Sequence, residues 1–156
     1  DLEVRPETLE TVSCMEDVLK TVQHHEAATG KNLRLGNSDS RSFTSDPRLL
    51  RRIMTNMLIN ALEATPPGGM VTLGCEAEHS AVRIWVHNDQ LIPRNIQDQI
   101  FHRTISSKGQ GRGSGTYSIK LLSEMICGEA SFTSTKKDGT IFSLVLQPKQ
   151  ECGCDP

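Results

Sequence analysis

The chain has 156 residues, 36% hydrophobic and 23% charged, with a formal net charge of −2. That length suits one ordinary domain with a sizeable core, and the composition excludes a disordered chain. The slight acidity argues against a protein that coats nucleic acid, and no apolar run approaches the roughly 20 residues of a membrane-spanning helix. Aromatic residues make up only 4%, so the core must rest on Leu, Ile, Val and Met. No signal-peptide pattern opens the chain, and it begins at Asp1 rather than Met, which leads us to expect a fragment of a longer protein. The cysteines, Cys14, Cys75, Cys127, Cys152 and Cys154, are odd in number and mostly scattered. That pattern predicts reduced thiols in a reducing, cytoplasmic compartment rather than a disulfide framework. Cys152-Gly-Cys154 is at most half a zinc site, because no second pair accompanies it.

In chain order, Leu9, Val12, Met15, Val18, Leu19 and Val22 recur every three or four residues and predict a helix over 7–29, stopped by Gly30. A short strand over 31–35 and a polar loop over 36–42 follow. Asp46-Pro47 is a strong helix start, Asp as N-cap and Pro in the first helical position. The helix carries Leu49, Leu50, Ile53, Met54, Met57, Leu58, Ala61 and Leu62 until Thr65-Pro66-Pro67-Gly68-Gly69 ends it. Strands 70–77 and 81–87 read as a hairpin, and 93–102 as a short helix. Residues 103–116 read as a loop rich in Gly and Ser, 117–127 as a helix, and 130–135 with 140–147 as a second hairpin. The predicted fold is α+β: a two-layer sandwich with a mostly antiparallel, mixed sheet and its three longer helices on one face. One domain over 1–150 and a tail over 151–156 are expected.

Three segments bear chemistry. On the helix from Pro47, Asn56, Asn60 and Glu63 fall within about 60° of one another, on a stripe bordering the apolar face. Two carboxamides and a carboxylate there suit either a hydrated divalent cation or an ordinary solvated edge. Glycines 109, 111, 113 and 115 precede a helix, with Lys108 and Arg112 among them, which is the composition of a phosphate cradle or of a flexible linker. It is neither a Walker A loop, lacking Gly-Lys-Ser/Thr, nor a Rossmann fingerprint, since no strand leads into it. The turn Asn88-Asp89-Gln90-Leu91 joins a strand to a Pro-started helix and places Asn88 or Asp89 where a base edge would be read.

In this order the segments resemble the Bergerat-type ATP-binding domain shared by histidine kinases, gyrase-type topoisomerases, Hsp90-type chaperones and MutL-type repair proteins. DPRLLRRIMTNMLINALEAT is similar to the N box of that family, with Asn56 and Asn60 at its defining positions. NDQLIP resembles the G1 box, IFHRTISSKG the F box around Phe101, GRGSGTYSIKLL the G2 box, and KKDGTIFSLVLQ the closing hairpin. The resemblance covers roughly residues 5–148. It implies ATP between helices and sheet, under a lid over 103–115, with Asn60 the main Mg²⁺ ligand and Asn56 its support. Lys108 and the backbone of Gly111, Gly113 and Gly115 would hold the phosphates, with Glu63, Asn88, Asp89, Arg112 and Thr116 completing the nucleotide site. Asn56, Asn60 and Lys108 would form the catalytic set, and Tyr117 would pack against the core.

Branches of the family that hydrolyse ATP usually carry a Glu at the position of Asn56. An amide has no useful basicity near neutral pH, so the resemblance narrows to the histidine kinases, which pass the γ-phosphoryl to a protein histidine. That acceptor would sit on a separate dimerisation domain of the same or a sister chain, and the parent protein would serve a response regulator. His24-His25-Glu26 only superficially matches a phosphoacceptor. The fragment itself would be cytoplasmic, without nucleic-acid or membrane contact, while its parent is open to membrane anchoring. Two departures stand out. The usual G1 box is Asp-x-Gly-x-Gly, whereas Asn88 stands for the Asp, and its carbonyl is expected to accept from the adenine amino group without charge. Ser114 replaces a common Leu of the G2 box. A degenerate regulatory pseudokinase and an anti-sigma-factor-type serine kinase are the alternative readings.

Overall fold

The computed structural model describes residues 3–100 and 112–147, with the side chains of 112–115 excepted. Five strands form the main sheet: β2 (Asn32–Ser38), β4 (Met70–Glu78), β5 (Ala81–Asn88), β6 (Gly128–Thr135) and β7 (Gly139–Leu146). Their order is β2-β4-β5-β7-β6. β2 pairs parallel to β4, and every other neighbour pairs antiparallel. Two further strands, β1 (Glu7–Glu10) and β3 (Ser42–Ser45), pair separately as an antiparallel ribbon.

Period-two alternation decides the faces. Along β5, Val82, Ile84, Val86 and Asn88 are buried, while Arg83, Trp85 and His87 are half-buried on the other side. The inner side meets α1 (Thr11–Val22), α2 (Pro47–Ala64) and α4 (Arg112–Met125). Met15, Leu50, Ile53, Met57, Leu58, Leu62, Leu73, Ile84, Ile119 and Leu144 are almost wholly buried between the layers. Each such aliphatic side chain contributes roughly 1.5–3 kcal/mol by leaving water, so this layer, rather than helix propensity, holds the helices in place. The outer side carries the indole of Trp85 across Gly74, where an added Cβ would collide with the ring.

Asp46 caps α2 as the sequence predicts: its side chain accepts from the N–H of Arg48 at 2.9 Å and of Leu49 at 3.4 Å, and Pro47 occupies the first turn. It also accepts from the Arg5 N–H at 2.7 Å and from the Arg48 guanidinium at 3.0 Å. Burial alone would raise its pKa. Those donors outweigh burial and hold it at about 2.

Several sequence expectations need correction. Residues 7–10 are a strand, because Leu9 faces Phe43 across the ribbon, and only Thr11–Val22 is α-helical. The polar 36–42 stretch extends β2 to Ser38 and leads into β3. The short helix is limited to α3 (Arg94–Gln97) within the described residues. The last helix starts at Arg112 rather than Tyr117, so Gly113, Ser114, Gly115 and Thr116 form its first turn instead of a loop. His25 is a local cap, its Nδ1 accepting from Ala27 N–H at 3.0 Å at the start of the 3₁₀ turn Glu26–Ala28. Cys14 and Cys75 are free, but Cys127 is disulfide-bonded, against the expectation of reduced thiols. Scatter along a sequence does not report separation in space. Among the described residues, no helix is long and apolar enough to cross a membrane.

Candidate functional site

The amide-bearing helix α2 and the glycine-started helix α4 pack against each other on one face of the sheet, and α2 also lies over β5. Asn56, Asn60 and Glu63 are half-buried along the edge of α2, while Leu49, Ile53, Met57 and Leu58 beside them are buried. The carboxamide nitrogen of Asn60 is fully buried and has no hydrogen-bond partner among the described residues. An unsatisfied buried donor costs roughly 1–3 kcal/mol, and such a group in a native protein calls for an explanation such as a functional role, a water or an ion.

Gly113, Gly115 and Thr116 lie in the first turn of α4 with Arg112. The first four N–H groups of a helix have no partner within it, and their dipoles favour an anion. Three of these four residues are glycine or a short hydroxyl residue, so the backbone there is open to close approach. Lys108, Gly111 and Phe101 fall outside the described residues, as does the lid segment before Arg112.

Asn88 ends β5 on the helix-facing side, only 3% exposed. Its Oδ1 accepts from the Gln90 N–H at 2.9 Å. A relay of hydroxyls from the β6–β7 hairpin fixes the same turn. The Ile92 N–H donates to Ser134 Oγ at 2.9 Å, Ser134 Oγ lies 2.7 Å from Thr140 Oγ1, and Thr140 Oγ1 donates to the Gln90 carbonyl at 2.7 Å. Because each hydroxyl has one proton, the relay runs in a single direction from Ile92 to Gln90. Gly139, at φ +72°, closes the hairpin directly under this turn. A Cβ there would collide with the Asn88 carbonyl and stand 2.8 Å from Asp89 Cα. Ser134, Gly139 and Thr140 are therefore positioning residues that motif spacing did not single out; the Gly-Thr pair at the hairpin turn was their only sequence signal.

The structure separates the two base-reading candidates. Asp89 is 80% exposed, and its carboxylate lies 3.7 Å from Nε2 of His87, which belongs to the outer side of the sheet. Asn88 alone is turned toward the helices. The Gln90 N–H takes one lone pair of the Asn88 amide oxygen and fixes its orientation, and the second lone pair stays open to a further donor.

The donor set fits a hydrated magnesium ion. Asn56 and Asn60 bring amide oxygens of the kind Mg²⁺ takes, while the Asn60 amide nitrogen, without a partner among the described residues, is a donor suited to a phosphate oxygen or water rather than to the metal. Among the described residues no group of three His, Cys, Asp or Glu side chains forms an alternative metal site.

A two-layer sandwich with amides on one inner helix, a glycine-started second helix and a rigid polar turn at a strand end defines a nucleotide-binding class. The model of the Histidine kinase-, DNA gyrase B-, and HSP90-like ATPase family matches residues 45–150, and the chain belongs to that family. The heme sensor protein HssS of Staphylococcus aureus (strain JH9) is 28% identical over 138 residues, covering 85% of this chain. The chain spans 30% of that relative's length. Among solved structures, the catalytic domain of histidine kinase ThkA superposes with a TM-score of 0.81 at 19% identity, covering 95% of this chain and 99% of that one. The mycobacterial sensor histidine kinase MprB gives 0.76 at 20% identity, covering 92% and 99%.

Proposed function

We propose that this chain is the ATP-binding catalytic domain of a two-component sensor histidine kinase, positioning Mg-ATP for transfer of the γ-phosphoryl to a histidine on a separate dimerisation domain. The observation that carries the reading is the buried amide nitrogen of Asn60, unpartnered among the described residues, on a helix packed against the glycine-started α4. Asn60, supported by Asn56, would hold magnesium, which neutralises phosphate charge when bound. The α4 N-terminal N–H groups, with Lys108 and Gly111, would cradle the phosphates, and Asn88 would face the base. Glu63 borders the same stripe. Phosphoryl transfer asks little of the protein beyond positioning and charge neutralisation. With an amide at position 56 there is no base to activate water, so the bound triphosphate is kept for a protein acceptor.

The parent protein would supply the dimerisation segment, the acceptor histidine and the contact with a response regulator, and the domain itself would work in the cytoplasm. The test is label transfer. The chain is mixed with γ-labelled ATP, Mg²⁺ and the parent's dimerisation segment. An acid-labile, base-stable label on that segment is expected, and its absence together with free phosphate release would contradict the reading.

A further inference from the structure

The turn after β5 is held by side chains at both backbone groups of Gln90 and both of Ile92. The Gln90 N–H donates to Asn88 Oδ1 at 2.9 Å, and the Gln90 carbonyl accepts from Thr140 Oγ1 at 2.7 Å. The Ile92 N–H donates to Ser134 Oγ at 2.9 Å, and the Ile92 carbonyl accepts from Gln97 Nε2 at 2.8 Å. Among the described residues, none of these four groups bonds to another backbone group. Asn88, Thr140 and Ser134 stand in one row across β5, β7 and β6, with Ser134 on the edge strand. The Ser134 hydroxyl works twice. It accepts from Ile92 and lies 2.7 Å from Thr140 Oγ1, whose own proton goes to Gln90. Ser134 therefore donates to Thr140 and fixes the direction in which Thr140 donates.

We propose that Ser134 is a positioning residue for the base of the nucleotide: its relay, with Gln97, keeps the turn over 88–92 in its binding shape before any ligand arrives. The inference rests on the proposed nucleotide site, with the base at Asn88. A loosened turn must be ordered as the base binds, so the apparent affinity falls by the fraction of chains that hold the right shape beforehand. The relay's bonds end on Gln90 and Ile92, whereas the phosphates and metal belong to the α4 N-terminus and Asn60. A ligand with a base therefore depends on Ser134, and one without a base does not.

The experiment is titration calorimetry of the 156-residue chain with ADP and with inorganic tripolyphosphate, both in Mg²⁺, repeated with Ser134→Ala, Ser134→Thr and Gln97→Ala. Ser134→Ala breaks two bonds of the relay, so ADP is expected to bind about tenfold more weakly while tripolyphosphate affinity changes less than about twofold. Ser134→Thr keeps the hydroxyl and is expected to bring ADP back to within about threefold of the unaltered chain. Gln97→Ala removes one half-buried side chain and carries the same test if Ser134→Ala does not fold. It is expected to weaken ADP about fivefold and again to spare tripolyphosphate. Unchanged ADP affinity in Ser134→Ala, or in Gln97→Ala where that variant stands in, overturns the inference and leaves the nucleotide site standing. So do equal losses for the two ligands, or no tripolyphosphate binding by the unaltered chain, since base and phosphates would then not be held independently. Failure of both ligands to bind the unaltered chain overturns the site as well.

Discussion

Asn60 sets function against stability within one side chain. Its buried amide nitrogen has no partner among the described residues, a cost that a ligand would relieve. Asn60→Ala removes that orphan and leaves a small void, two effects of opposite sign. We expect the unfolding free energy to change by less than about 1 kcal/mol while Mg²⁺-dependent nucleotide affinity falls at least about a hundredfold. Urea unfolding and calorimetry on the same variant check the two halves. Asp46 is the contrasting case, a polar group fully satisfied and purely structural. Its carboxyl is held at about 2, below the ordinary value of 3.8, so it stabilises the fold above pH 3.8, and that contribution is lost as pH falls from there toward 2. Asp46→Ala should cost about 1–2 kcal/mol at pH 7 through the lost cap and flatten stability against pH in that acid window. An unchanged acid limb in the variant would show that the cap does not titrate there.

At the scale of elements, the β6–β7 hairpin supports the base-facing turn. Gly139 combines a left-handed backbone with direct contact on the Asn88 carbonyl, and Thr140 and Ser134 tie Gln90 and Ile92 to the same hairpin. Gly139→Ala should therefore lower stability by about 1–3 kcal/mol and weaken nucleotide binding together. Thermal unfolding and calorimetry read the pair, and a loss of stability with binding untouched would show that the hairpin does not position the turn. This coupling lay outside what the sequence displays, because it joins residues about fifty positions apart. The start of α2 was legible, since Asp46-Pro47 fixes a helix by local chemistry. The ribbon β1–β3 was not: Leu9 and Val12 have helical spacing, and only the distant partner Phe43 makes 7–10 a strand. The first turn of α4 was missed for a related reason. Glycine disfavours helix locally, yet Ile119 and Leu122 anchor the helix to the core and carry Gly113 and Gly115 with them. The candidate amides were readable as a stripe on α2. That the amide nitrogen of one of them is buried without a partner among the described residues, and that the Gln90 N–H fixes the Asn88 oxygen, required the packed structure.

At the scale of the whole molecule, the sheet order β2-β4-β5-β7-β6 puts the Asn88 end of β5 beside β7 and under the helix layer that carries α2 and α4. The chain thus assembles three distant segments, around residues 60, 88 and 113, on one side of one sheet. The outer side, with Arg83, Trp85 and His87, contributes none of them. Everything argued about phosphates, metal and base depends on that shared face binding a nucleotide. The most direct measurement is a calorimetric titration of the chain with ATP in Mg²⁺ and again in EDTA. We predict saturable one-to-one binding in Mg²⁺, at least about tenfold weaker in EDTA, with a protein stabilisation of roughly 2.7 kcal/mol at a hundred times the dissociation constant. Absence of binding in Mg²⁺, or equal binding with and without the metal, would contradict the account.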